Sequence, residues 1–127
     1  MTAIFLKTMT IVNKLALIIL TLVVLTVQAN SIRIFTLSAD EWERPRSGQI
    51  IPQFESLNAA VRYWDKGIDA SILISYPGGD SGEIWASELR SWLVSLGIPA
   101  DYILMLAGSQ EVDEIKILVG NRQELLQ

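Results

Sequence analysis

Four short stretches of the chain either alternate apolar and polar residues or stay apolar over the length of a strand. They lie at residues 31–38, 71–76, 102–107 and 114–119. In the second stretch, for example, Ile72, Ile74 and Tyr76 alternate with Ser71, Leu73 and Ser75. We therefore predict four β-strands at these positions.

Two longer segments repeat their apolar residues at the helical period of about 3.6. In the first segment the apolar residues are spaced by four, three, four and three positions: Ile50, Phe54, Leu57, Val61 and Trp64. This helix is predicted to begin between Gln49 and Pro52, because a proline in the first turn sacrifices no hydrogen bond. Gly67 is its predicted end.

The second helix is predicted to begin at Asp80, with Glu83 completing a capping box and both carboxylates favouring the positive end of the helix dipole. Gly97 and Pro99 mark its end. Its predicted buried face consists of Ile84, Trp85, Leu89, Trp92, Leu93 and Leu96.

Polar segments rich in glycine and proline separate these elements. Residues 40–48 are predicted to form a loop, residues 77–79 a tight turn, and the tail from residue 120 a loosely ordered end. The resulting order, β-α-β-α-β-β, predicts an α+β domain, a sandwich of one mixed sheet with two helices on one face.

The N-terminal segment has a different character. It carries Lys7 and Lys14 but no acidic residue, and residues 15–27 are all apolar apart from threonine. We interpret residues 1–29 as a secretory signal peptide cleaved after Ala29, where small residues suit signal peptidase. An uncleaved membrane anchor is the alternative, although thirteen residues fall short of the roughly 20 that span a bilayer. Met9 is an alternative start.

Composition excludes several classes of chemistry. The chain of 127 residues has no His and no Cys, so histidine-based triads, cysteine nucleophiles, Cys/His zinc sites and disulfides are ruled out. Its formal charge is −4, and without residues 1–29, which hold two lysines and no acid, the charge is −6. Without a basic cluster, nucleic acid is not an expected partner.

The sequence Gly79-Asp80-Ser81-Gly82 resembles the nucleophile segment of trypsin-like serine proteases. Without histidine the serine has no base. A phosphate cradle is also disfavoured, because the P-loop lysine is missing and Asp80 and Glu83 would repel an anion. We interpret the segment as a turn leading into a helix.

Three of the four tryptophans lie on or beside the helical stripes, which predicts core positions for Trp64, Trp85 and Trp92. Trp42 lies in the polar segment beside several acidic residues and has no stripe to join. The acidic residues do not have calcium-loop spacing, so we predict a solvated loop there and no metal site. Trp42 is the predicted aromatic contact for a ligand or partner.

The segment from Trp92 to Ile103, WLVSLGIPADYI, is similar almost residue for residue to the second-helix exit of the outer membrane protein A C-terminal domain family. That family also includes MotB and the peptidoglycan-associated lipoproteins. Its order of strands and helices resembles the one predicted for residues 32–119. The resemblance implies an OmpA-like domain over residues 30–127, in an exported protein of a Gram-negative cell envelope.

Family members grip the peptide of peptidoglycan with an Asp after the second strand and an Arg early in the second helix. In this chain the strand is followed by Pro77 and Gly78, and the position expected for the Arg falls near Ile84 or Trp85. The nearest charges of the right sign are Asp80 and Arg90. The resemblance therefore implies the fold with a degenerate ligand site.

These features predict a non-catalytic, periplasmic interaction protein, tethered to the inner membrane only if the leader is uncleaved. The predicted binding residues are Asp80, Arg90 and Trp42, with no catalytic residue, metal or cofactor. Two alternatives stay open: a genuine peptidoglycan-binding domain with a rebuilt site, and a periplasmic adaptor that docks on another envelope protein. An enzyme based on carboxylates is disfavoured, because no paired acids have suitable spacing.

Overall fold

The computed structural model describes residues 31–127, which form one compact unit. The predicted leader and its cleavage site lie outside the described residues. Within residues 31–127 no helix is long and apolar enough to cross a membrane. The elements are β1 (Arg33–Ser38), α1 (Ala39–Trp42), α2 (Glu55–Lys66), β2 (Ala70–Pro77), α3 (Asp80–Ser95), β3 (Ile103–Ser109), β4 (Glu114–Asn121) and α4 (Arg122–Leu125), with short 3₁₀ turns at Ile51–Gln53 and Ala100–Tyr102.

The four strands form one mixed sheet in the order β1-β4-β2-β3. Strand β4 pairs antiparallel with both β1 and β2, whereas β2 and β3 are parallel. Strands β1, β2 and β3 therefore run in the same direction, and their carboxyl ends lie at one edge of the sheet. We use the name carboxyl edge for this part of the sheet together with α1, the turns that follow β2 and β3, and the first turns of α3.

Helices α2 and α3 pack on the same face of the sheet, as predicted. Strand residues such as Ile72, Ile74 and Ile117 alternate toward this face and are fully buried. They meet Leu57 from α2 and Leu89 from α3 in one continuous core. The predicted α+β order and its mixed sheet are confirmed.

The start of the first long helix differs from the prediction. Pro52 lies in a 3₁₀ turn, and Phe54 then adopts an extended conformation before α2 begins at Glu55. Phe54 is buried, and its extended backbone directs the chain from the loop into the helix. Gly67 follows the last residue of α2, as predicted.

The predicted capping box of the second helix is wrong. Asp80 is the first residue of α3, Gly79 precedes it with a φ of +93°, and no side chain caps this helix. A capping box forms at α1 instead, where the Ser38 hydroxyl accepts from the backbone N–H of Glu41 and the Glu41 carboxylate accepts from that of Ser38. The glycine turn replaces the cap because β2 ends so close to α3.

The exit of α3 has the geometry expected of its sequence. Gly97 has a φ of +107°, its N–H donates to the carbonyl of Val94, and the N–H of Ile98 donates to that of Leu93. These two bonds define a Schellman motif. The Ile98 side chain is 1% exposed and packs in the same core as Leu93.

Two predicted irregular segments contain helical turns. Residues 39–42 of the predicted loop form α1, and residues 122–125 of the predicted loose tail form α4. The Asn121 side chain accepts the N–H of Gln123 and thereby starts α4, and Leu125 is buried. Helix α4 packs against β2 and β4, so tertiary contacts order the tail.

Candidate binding surface at the carboxyl edge of the sheet

Ligands of open α/β sheets bind beyond the carboxyl ends of the strands, where the loops leave room above the sheet. In this protein three such ends meet at one edge. The backbone N–H of Ala39 donates to the carbonyl of Asp113 at 2.8 Å, which ties α1 to the turn between β3 and β4. The carboxyl edge is therefore a connected surface with a fixed backbone.

Gly82 determines how closely α3 approaches the end of β2. A side chain at this buried position would overlap the backbone carbonyl of Pro77. Next to it, a Cβ on Gly78 would lie 3.8 Å from the Cα of Gly108, so the turns after β2 and β3 are also neighbours. Small residues thus hold the first turns of α3 against the sheet.

Trp42 does not project into solvent from a polar loop. Its side chain is 7% exposed, and its ring centroid lies 6.1 Å from that of Phe54 and 6.4 Å from that of Trp85. The capping box at Ser38 turns the chain so that Trp42 faces the core. Trp42 is therefore a structural centre of the carboxyl edge, available to a partner only at its margin.

Arg46 packs on the outside of the aromatic cluster formed by Trp42, Phe54 and Trp85. Its guanidinium carbon lies 4.9 Å from the centroid of the Trp42 ring, and its Nη1 donates to the Trp42 carbonyl at 2.7 Å. Its Nε also bonds Glu88 Oε1 of α3 at 2.6 Å. One arginine thus connects the segment after α1 to α3 through a cation–π contact and an ion pair.

Trp85 contributes an unusual polar group to the same cluster. Its indole Nε1 is buried and has no hydrogen-bond partner among residues 31–127. A buried N–H without a partner carries a desolvation cost of about 1–3 kcal/mol.

Asp80 and Arg90 are both accessible and lie on different turns of α3. Asp80 is exposed at the start of α3, and Arg90 is partly exposed ten residues further along the same helix. At a rise of about 1.5 Å per residue, their backbones lie roughly 15 Å apart along the helix axis. A ligand that contacted both side chains would have to span most of the distance between these two turns of α3.

The turn between β3 and β4 carries its own charges. Lys116 Nζ lies 2.7 Å from Glu111 Oε2 and 4.0 Å from Glu114 Oε1. The hydrogen bond from Lys116 lowers the pKa of the Glu111 carboxyl, and the same bond raises the pKa of Lys116. Both partners of the Lys116–Glu111 pair are therefore ionised near neutral pH.

A shallow pocket of about 180 Å³ opens beside the aromatic cluster, within the segment that joins α1 to α2. Its lining is mostly apolar and includes one positive charge. It is formed by Arg44, Pro45, Ile50, Gln53 and Phe54. Sequence reasoning missed this pocket, because only the fold of residues 44–54 brings these side chains around one space.

Residues 31–127 contain no group of three or more His, Cys, Asp or Glu side chains that could hold a metal ion. The carboxyl edge combines buried aromatic rings, an arginine held by Trp42 and Glu88, and an apolar pocket, which are features of many binding surfaces.

No protein-family model matches this chain, and no curated protein matches it.

Proposed function

We propose that this protein is a non-catalytic interaction protein of the cell envelope, exported to the periplasm, whose degenerate OmpA-like domain binds another envelope protein. The observation that carries the proposal is the carboxyl edge, where three strand ends, α1 and α3 form one surface. Arg46 holds this surface together by contacting both Trp42 and Glu88. The element order and the Schellman exit at Gly97 support the resemblance on which the compartment depends.

Exposed apolar residues at the carboxyl edge support a protein partner. Ile84 in the second turn of α3 is 69% exposed, and Val112 in the turn before β4 is 72% exposed. Large apolar side chains at the surface are common contact residues in interfaces. The charge of −6 predicted for residues 30–127 favours a partner with basic groups around this contact.

The distance between Asp80 and Arg90 along α3 argues against peptidoglycan binding in the way the OmpA-like family binds it, with an Asp and an Arg on the same ligand group. Either side chain alone could hold one charge of the ligand, but the pair cannot clamp both ends of a zwitterion. We therefore rank a protein partner above the cell wall.

Two exposed isoleucines provide a matched test. Ile84 lies at the carboxyl edge, whereas Ile68, which is 89% exposed, lies between α2 and β2 at the opposite edge. The immobilised protein should capture one reproducible partner from periplasmic extract. Ile84→Ser should reduce that capture at least tenfold, and Ile68→Ser should leave it unchanged.

Co-sedimentation with purified peptidoglycan tests the alternative directly. We expect no pelleting of the wild-type protein. Pelleting that disappears in Asp80→Asn and Arg90→Gln would replace our proposal with a rebuilt cell-wall site. Capture that is equally sensitive to Ile68→Ser and Ile84→Ser would remove the carboxyl edge from the proposal.

A further inference from the structure

The pocket beside the aromatic cluster combines an apolar floor with a single charged group. Pro45, Ile50 and Phe54 supply the apolar surface, and Arg44 is the one ionised residue in the lining. The adjacent Arg46 is already bonded to Glu88. Among the ion pairs found within residues 31–127, none involves Arg44. Its guanidinium group therefore offers up to five donors to an anion.

The volume of the pocket limits what it can hold. At about 180 Å³ it is slightly larger than a 150 Å³ apolar cavity that accommodates benzene. One aromatic ring or one branched aliphatic side chain fills it. A planar guanidinium at its rim is suited to a carboxylate, which it can bind in bidentate fashion.

Gln53 adds a third feature. Its Nε2 donates to the backbone carbonyl of Gln49 at 3.1 Å, which orients the side-chain amide. Its Oε1 is then free to accept from an incoming N–H. A ligand that matches these three features carries an apolar group, a carboxylate and an amide N–H close together. The C-terminal residue of a polypeptide has all three when its side chain is apolar.

We infer that this pocket binds the C-terminal residue of the partner polypeptide, with its apolar side chain against Phe54 and its terminal carboxylate on Arg44. The inference rests on the proposed function, because it names the chemical group by which the partner is held. The pocket then anchors the chain end, while the rest of the partner crosses the carboxyl edge toward Ile84.

The probe for this site is the peptide acetyl-Gly-Gly-Gly-Phe with a free carboxylate, titrated into the full chain and followed by calorimetry and by ¹⁵N chemical shifts. It should bind at least tenfold more tightly than the same peptide with a C-terminal amide. It should also bind at least tenfold more tightly than acetyl-Gly-Gly-Gly-Ser, whose side chain leaves the pocket unfilled. Shifts should concentrate at residues 44–54.

Arg44→Gln should abolish the preference for the free carboxylate, and Arg62→Gln, an exposed arginine on α2, should preserve it. Because Arg44 is exposed, its substitution leaves the core intact, which the amide spectrum of the variant checks. Added salt should weaken binding of the acid peptide more than binding of the amide.

Equal affinity for the acid and the amide, absence of binding, or an Arg44→Gln variant that keeps its preference would each overturn the inference. Binding of 3-phenylpropanoate as tightly as the peptide would also overturn it, since the occupant would then be a free carboxylic acid. None of these results affects the outcome of the capture experiment with the Ile84→Ser variant. Failure of C-terminal recognition by the pocket and failure of the proposed function are therefore distinguishable.

Discussion

Trp42 illustrates how the role of a single residue depends on its position in the fold. Its neighbours in sequence are charged, yet its ring lies among Phe54 and Trp85 and is nearly inaccessible. Arg46 covers the remaining side and keeps its own charge in contact with Glu88. Trp42 is therefore a packing residue that holds the carboxyl edge in shape.

Replacing Trp42 should consequently reduce stability before it changes any binding. Trp42→Ala removes a buried aromatic side chain and is expected to lower the free energy of unfolding by about 3–5 kcal/mol. Trp42→Phe, which keeps a ring beside Phe54, should lower it by less. Urea denaturation monitored by circular dichroism gives both values, with Ile68→Ala as the exposed control. A loss below about 1 kcal/mol for Trp42→Ala would contradict the buried position.

The Lys116–Glu111 pair makes a second prediction for individual residues. Because the hydrogen bond from Lys116 lowers the pKa of Glu111, that carboxyl should titrate below the ordinary range of a glutamate in a ¹³C NMR titration. Lys116→Gln should return its pKa to the ordinary range, and Lys66→Gln on α2 should not alter it. An unshifted Glu111 in the wild-type protein would argue against a persistent pair.

The sign of the pH effect follows from these directions. A lowered pKa in the folded state means that Glu111 stabilises the protein above its ordinary pKa, and that this stabilisation is lost as the pH falls through the folded value. The raised pKa of Lys116 stabilises below the ordinary lysine value and is lost as the pH rises through the folded one. Both side chains are exposed, so the effect on stability is small.

At the scale of elements, α3 is positioned by a glycine near each end. Gly82 permits close packing on β2, and Gly97 permits the reversal that leads to Ile98. The two glycines are required for different physical reasons. Gly82 avoids a steric overlap, whereas Gly97 adopts a backbone conformation that other residues rarely reach.

Gly82→Ala should therefore be strongly destabilising. The added methyl group would overlap the Pro77 carbonyl, which is backbone and cannot rotate away. We expect a loss of about 3 kcal/mol or more, at the upper end of overpacking effects. Ser87→Ala, at an exposed position of the same helix, should be neutral or slightly stabilising. Equal thermal stability of the two variants would show that α3 does not pack this closely on β2.

Gly97→Ala tests backbone strain alone, because a Cβ at this position would meet no atom within 4 Å. The φ of +107° should cost about 1–2 kcal/mol for alanine. Gly48 also has open space around it but no positive φ, so Gly48→Ala should be neutral or slightly stabilising. A Gly97→Ala variant as stable as Gly48→Ala would exclude the Schellman geometry.

At the scale of the whole molecule, the sheet order separates interior from edge strands. Strand β4 is paired on both sides by β1 and β2, and β2 is paired by β4 and β3. Strands β1 and β3 each have one free edge within residues 31–127. The outer strands should therefore open more readily than the inner ones.

Native-state hydrogen exchange measures this hierarchy. Amides of β2 and β4 are expected to exchange last, near the rate of global unfolding, and outward-facing amides of β1 and β3 to exchange fastest among the strands. Exchange of β3 as slow as that of β4 would indicate that another chain covers its free edge.

The predictable part of the fold is the part determined by near neighbours in sequence. The order of the long elements and the exit at Gly97 followed from periodicity and from one glycine–proline signal. Ile84 fits the stripe of its helix and was predicted to be buried, yet it is 69% exposed. Ile84, in the second turn of α3, lies outside the core, and no pattern within the helix indicates where the core ends.

The candidate site was less predictable than the fold. Asp80 and Arg90 were named from a resemblance, and the structure separates them along α3. Arg46 and Glu88 lie 42 positions apart in the chain, so their ion pair has no local signature. The Arg44 pocket likewise depends on a loop conformation that Phe54 stabilises from the core.

By itself, the sequence determined the types and order of the long elements, the glycine-dependent exit of α3 and the absence of histidine and cysteine chemistry, because these properties reside in the residues or in contacts a few positions apart. Only the tertiary structure decided that β4 lies between β1 and β2, that Trp42 is buried, and that an arginine-rimmed pocket opens beside it. Those outcomes depend on which distant segments share one core, and burial of apolar surface across the whole domain selects that arrangement.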